Sequence, residues 1–355
     1  MAEIAIRNRS FSITRRELLV LGTTAPILFA DNEKSIIGAG WGLDHIEIAL
    51  SSGEAARETY SKKLGFTVAP DSSAGLGVQH SGIFLGGPYI EFLWLGGPGQ
   101  PQMDSPPGLQ FRRSLDHGGG IFQYNIDVSD IERLHERLRG IGLGVDLQAR
   151  TRIRNGKEEP APWRFLFAVD NRSGTVPPPG VPGGDAVGII EYNNNSDPAR
   201  MEFRRRSLLS SDLPKDSRRA AGEDHANSAR QLRSVWVAVP DVSAAVKESE
   251  AFGFAVMGKT KLSAIGAVGQ QVACGQGSIE FWEPAGRDGQ LASLLKQKGS
   301  GPFGFSVGVA SLQRSHELAQ DGFQTKLAIE NQSDRKSVTV SGKLTGGVWV
   351  EFVQS

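Results

Sequence analysis

Four segments of this chain close on nearly the same short phrase: Ile90-Glu91-Phe92, Ile190-Glu191-Tyr192, Ile279-Glu280-Phe281 and Val350-Glu351-Phe352. Each lies in a run that reads as a strand, such as Tyr89-Ile90-Glu91-Phe92-Leu93 or Trp349-Val350-Glu351-Phe352-Val353. A carboxylate in the middle of an apolar strand is costly unless a partner or a cation meets it. Four of them at corresponding places indicate an internal repeat, which constrains the fold before any single element does.

Upstream of each glutamate the same units recur in order. A first strand comes earliest: Leu43-Asp44-His45-Ile46-Glu47-Ile48-Ala49, Ile121-Phe122-Gln123-Tyr124-Asn125-Ile126-Asp127, Ser234-Val235-Trp236-Val237-Ala238-Val239, and Phe305-Ser306-Val307-Gly308-Val309. A helix follows each. The spacing predicts that these helices stop at Gly65, Gly142, Gly253 and Gly322, each followed by an apolar residue. Glycine tolerates the left-handed conformation that ends a helix. Further strands then lead to the glutamate. His45 to Glu91, Ser234 to Glu280 and Phe305 to Glu351 are each 46 positions apart. Gln123 to Glu191 is 68, so the second unit carries extra residues, placed at 155–162 and in the Gly/Pro run 174–185 and read as loops. The chain therefore reads as four βαβββ units, an α+β fold.

With 355 residues, two globular domains are expected. A formal net charge of zero argues against a nucleic-acid partner. The single cysteine, Cys274, excludes an intrachain disulfide and a thiolate metal cluster; it reads as core packing. Near the N-terminus, Thr14-Arg15-Arg16-Glu17-Leu18-Leu19 opens a mildly apolar run at 18–30. This is similar to a twin-arginine export signal, too short for a permanent span. Residues 1–30 are therefore expected to be a signal read by the twin-arginine machinery, and the protein to be periplasmic or secreted.

Side chains alternate along a strand. His45 and Glu47 share one face of the first strand, and Gln123, Asn125 and Asp127 share one face of the corresponding strand in the second unit. Glu91 keeps company with Tyr89 and Leu93, and Glu191 with Ile189 and Asn193. His80 could point to the same side. The alternative for Glu91 and Glu191 is an ion pair with a neighbouring strand, Arg154 and Arg164 being candidates.

In the run 43–49, with Leu64-Gly65-Phe66 and Tyr89-Ile90-Glu91-Phe92-Leu93, the chain resembles the vicinal-oxygen-chelate superfamily, home of glyoxalase I and the extradiol dioxygenases. The resemblance implies that modules pair into two curved mixed β-sheet cups. It places an N-terminal domain at 40–198, a polar linker at 199–232 and a C-terminal domain at 233–355. It implies that His45, Glu91, Gln123 and Glu191 hold one divalent metal (Zn, Ni, Mn, Fe or Co). It also implies that Glu191, or else Glu91, is the catalytic base. Glu47, Asn125 and Asn193 are the candidate substrate contacts. In the second pair Ser234 and Phe305 stand where ligands would, so no metal is expected in the C-terminal cup. The implied activity is a metal-dependent lyase or isomerase acting on a small oxygenated metabolite. One alternative is an extradiol-type dioxygenase, which wants two histidines and one carboxylate on Fe(II). The other is a non-enzymatic binding or resistance protein, for which Trp236 and Trp282 would line a groove.

Overall fold

The computed structural model describes residues 37, 42–75, 77–85, 87–96, 106–140, 143–154, 157–171, 179–182, 184–192, 225–332 and 335–355. The expected export signal, Asn193 and most of the expected linker lie outside these residues.

The chain forms two eight-stranded mixed sheets. The first contains β1 (Gly42–Ala49), β2 (Ser72–Gly75), β3 (Val78–Phe84), β4 (Tyr89–Leu95), β5 (Gly120–Asp127), β6 (Leu143–Arg154), β7 (Lys157–Asn171) and β8 (Val187–Tyr192). Their order is β2-β3-β4-β1-β5-β8-β7-β6. The second contains β9 (Ala229–Ala238), β10 (Val256–Leu262), β11 (Ala267–Cys274), β12 (Gly277–Pro284), β13 (Gly301–Val309), β14 (Ile329–Gln332), β15 (Arg335–Val340) and β16 (Trp349–Gln354). Their order, β10-β11-β12-β9-β13-β16-β15-β14, repeats the first. In each sheet the two first strands run antiparallel side by side, β1 with β5 and β9 with β13. Each pairs in parallel with the glutamate-bearing strand of its own unit. The fold is thus four βαβββ units joined two by two. β9 starts at Ala229, inside the stretch expected to be linker.

The helices follow from local chemistry. α1 (Gly53–Ala56) is capped by Ser52 and continues as a π-helical stretch, Arg57–Lys63. α2 (Pro106–Asp116) and α3 (Ile131–Gly140) flank β5. In the second half come α4 (Val242–Ala251), α5 (Gln290–Lys298) and α6 (Leu312–Phe323). Asp241 and Ser311 accept from the backbone N–H three residues on and cap α4 and α6. Gly65 and Gly253 have the positive φ that a helix end requires. Gly322 does not end its helix: it sits in the last turn of α6, and the left-handed residue is Gln324. Gly322 answers a close approach instead, because a Cβ there would fall 2.4 Å from the Lys63 carbonyl oxygen. Residues 157–162, read from sequence as loop, belong to β7 and extend a long β6–β7 hairpin.

The alternation of each strand divides its residues cleanly. Ile46, Ile48, Ile90 and Phe92 of the first sheet share one continuous buried core with Val235, Val237, Ile279, Phe281, Phe305 and Phe352 of the second. Each such side chain contributes about 1.5–3 kcal/mol when fully buried. The polar faces look away from this core. Helix α2 packs over the first polar face through Phe111, whose ring lies 5.2 Å from that of Phe122. Leu291 of α5 does the same in the second, in a cluster with Trp236, Trp282 and Phe303. Trp236 and Trp282 are therefore buried packing, and the groove expected there is filled.

Candidate metal centre

The first cup is organised around β1. Its register skips: Leu43 pairs with Ile126 and His45 with Asn125, which leaves Asp44 as a bulged residue. The bulge lets two adjacent residues act together. Asp44 Oδ2 lies 2.5 Å from His45 Nδ1, and Tyr192 OH donates to the same oxygen at 3.1 Å. A carboxylate at Nδ1 keeps the proton there and presents the Nε2 lone pair to the cup. Tyr89 stacks on the ring, with centroids 4.4 Å apart.

Around Nε2 the oxygens gather. Glu47 Oε1 is 3.3 Å away. Glu91, in register with Glu47 across the β1–β4 pairing, completes a group whose ligand atoms all lie within 4.8 Å of one another. Metal–ligand bonds of about 2.0–2.2 Å let one ion bridge atoms up to about 4.4 Å apart, so a side-chain adjustment of a few tenths of an ångström suffices for all three to meet one ion. Asn125 Nδ2 lies 2.8 Å from His45 Nε2 and donates to Glu47 Oε1 at 2.7 Å. Gln123 Nε2 donates to Glu47 Oε1 at 3.1 Å and to Asn125 Oδ1 at 3.0 Å. On the far side His80 Nδ1 is 2.7 Å from Glu91 Oε1, and its Nε2 is 2.5 Å from Ser72 Oγ. Burial opposes ionisation of Glu91. The hydrogen bond and charge of His80 do most to offset it, and the carboxyl titrates below its usual range.

The donor set fits a divalent ion. Among the described residues, the ion pairs of Glu47 and Glu91 are with histidines, not with Arg or Lys. Two carboxylates and an imidazole nitrogen lie together with no guanidinium or ammonium paired to them; the Asn125 and Gln123 amides are the donors that meet them. One nitrogen with oxygen donors suits a first-row divalent metal.

The structure changes the expected set in three places. Glu191 does not join the cup. β8 pairs with β5 so that Asn125 faces Gly188 and Asp127 faces Ile190, which puts Glu191 on the opposite face. There it accepts from Arg164 Nη2 at 2.5 Å and from the Ile131 backbone N–H at 3.2 Å, at the start of α3. Arg164 also reaches Glu132. The arginine pairing weighed for Glu191 is thus what the structure contains. Second, Glu47, expected as a substrate contact, stands in the ligand group. Third, Asn125 lies against His45 Nε2 more closely than the sequence suggested, and Gln123 is bonded to Glu47 and Asn125 beside it. In the second cup Phe305 lies in the core, and Ser306 is the residue in register with Glu351.

Paired βαβββ units with a histidine–carboxylate cup define a vicinal-oxygen-chelate protein. Residues 43–253, more than half of the chain, match the family model described as a glyoxalase-like domain, and the chain belongs to that family. No curated protein matches it. Among solved structures, a variant of 4-hydroxymandelate synthase from Streptomyces coelicolor is similar at 13% identity over 89% of this chain and 92% of its own, with a TM-score of 0.59. Methylmalonyl-CoA epimerase from Mycobacterium tuberculosis is 19% identical, over 36% of this chain and 89% of its own, with a TM-score of 0.32. At 13% identity the likeness to the synthase speaks to fold alone.

Proposed function

We propose that the first cup is the active site of a metal-dependent lyase or isomerase acting on a small oxygenated metabolite. The observation that carries this reading is the convergence of His45 Nε2, Glu47 and Glu91 within 4.8 Å, with Asp44 fixing the histidine tautomer. A divalent ion held there supplies Lewis acidity toward neighbouring substrate oxygens and stabilises the charge left when an adjacent proton departs. The chain's own residues do the rest. Asp44 and Tyr89 hold the imidazole. Asn125 and Gln123 fix Glu47. Glu91, at 18% the most exposed of the three, takes the proton, its carboxyl being held below its usual range beside His80. His80 orients it. The dioxygenase reading has less support, because the ligand group contains one histidine.

Purified protein is expected to contain one equivalent of divalent metal, removable by chelator and restored on dialysis. Elemental analysis decides this: a chain that carries none and takes up none when supplied would end the reading.

We further propose that residues 1–30 direct export through the twin-arginine machinery, and that 40–198 and 233–355 act as a metal-bearing domain and a metal-free companion joined by a linker. The motivation for export is Thr14-Arg15-Arg16 before a short apolar run. Arg15→Lys with Arg16→Lys should leave the protein in the cytoplasm on fractionation. Unaltered export of that variant counts against this route.

A further inference from the structure

The second cup repeats the first, position by position, but with different chemistry. β9 and β13 pair Ser234 with Ser306, as β1 and β5 pair His45 with Asn125. β12 sets Glu280 beside Trp236, as β4 sets Glu91 beside Glu47. β16 adds Glu351 beside Ser306. The oxygens form a tight ring. Ser234 Oγ donates to Glu280 Oε1 at 2.7 Å and lies 3.0 Å from Ser306 Oγ, which donates to Glu351 Oε2 at 2.6 Å. Both carboxylates are 1% exposed.

Into this ring β15 inserts a cation. Arg335 Nη2 bonds to Glu351 Oε2 and lies 3.0 Å from Ser306 Oγ, and Nη1 lies 3.5 Å from Glu280 Oε1. Gln271 Nε2 also donates to Glu280 Oε1, at 2.9 Å, and the site is still incompletely satisfied. Glu280 Oε2 and Arg335 Nε are buried with no hydrogen-bond partner. Two buried carboxylates thus face one guanidinium.

We propose that the second cup is a latent site for a hard divalent cation, held closed by Arg335, whose guanidinium occupies the place of the ion. The donors are all oxygen, from Glu280, Glu351, Ser234 and Ser306, which selects Mn²⁺ or Mg²⁺ over softer metals. The chain thus solves one electrostatic problem in two ways, with a histidine–carboxylate group met by neutral amides in the first cup and a tethered cation in the second. This inference stands on the second cup alone and does not require the function proposed for the first.

The test uses the full-length chain with Glu47→Gln and Glu91→Gln, so that the first cup cannot contribute. Adding Arg335→Ala should create uptake of one Mn²⁺ per chain, measured by electron paramagnetic resonance of the free ion, and a melting temperature that rises with Mn²⁺. The chain that keeps Arg335 should show neither. Arg335→Lys retains the positive charge and should stay closed. A folded Arg335→Ala chain that binds no Mn²⁺ at millimolar concentration overturns the proposal. So does equal uptake by the chain that keeps Arg335. Should Arg335→Ala not fold, Arg335→Ala with Glu351→Gln provides the decision. Removing one stranded carboxylate should restore folding, and failure to improve on the single variant refutes the charge-compensation role.

Discussion

His45→Ala should strip divalent metal from the chain, while Glu191→Gln should leave metal content intact and register only as lost stability. The two residues lie on opposite faces of the first sheet. His45 provides the one nitrogen of the ligand group, and Asp44 and Tyr89 hold it in a single orientation. Removing it leaves two carboxylates to hold an ion alone. A milder change reports on the same geometry. Asp44→Asn keeps the ligand but weakens the hold on Nδ1, and about 10–100-fold in metal affinity is the usual loss for such a partner. Glu191 accepts from Arg164 and from the Ile131 amide, and its side chain is 9% exposed. Losing a charge-assisted hydrogen bond of that kind costs roughly 1.5–3 kcal/mol, with nothing lost in the cup. Elemental analysis and thermal melting of both variants measure the contrast. Metal loss in Glu191→Gln, with His45→Ala still loaded, would invert the assignment.

That contrast also shows where sequence reading stopped. The alternation of β1 was enough to put His45 and Glu47 on one face, and the register with β4 places Glu91 beside them. The repeated phrase around Glu191 suggested the same for β8, but a match of letters does not fix strand phase. A slip of one residue moves every side chain to the other face. The second unit has more residues between its first and last strands, so equal spacing could not pin the phase there. The same slip accounts for Phe305: counting 46 positions back from Glu351 reaches it, whereas the β13–β16 pairing sets Glu351 against Ser306. The bulge at Asp44 was not legible either, because it is a property of pairing between distant strands. Arg164 was visible as a candidate partner. Arg335 was not weighed, although it stands on β15 beside the strand of Glu351 as Arg164 stands on β7 beside that of Glu191.

Gly188→Ala should destabilise the protein and lower metal occupancy together. In register, Gly188 stands beside Asn125 as Glu351 stands beside Ser306. The first cup therefore has no side chain where the second has its second glutamate. Asn125 and Gln123 fill that space: a Cβ on Gly188 would lie 2.0 Å from Asn125 Oδ1 and 3.0 Å from Gln123 Nε2. Asn125 cannot yield cheaply. It is fully buried, and its amide bonds to His45, Glu47 and Gln123 at once. Overpacking of a well-filled site costs about 1–3 kcal/mol, and here the displaced amide is the one that steadies two members of the ligand group. The expected result is a lower melting temperature and a substoichiometric metal content after dialysis, with far-UV circular dichroism unchanged. A Gly188→Ala protein as stable and as fully loaded as the parent would show that the amide layer is not needed to hold His45 and Glu47 in place.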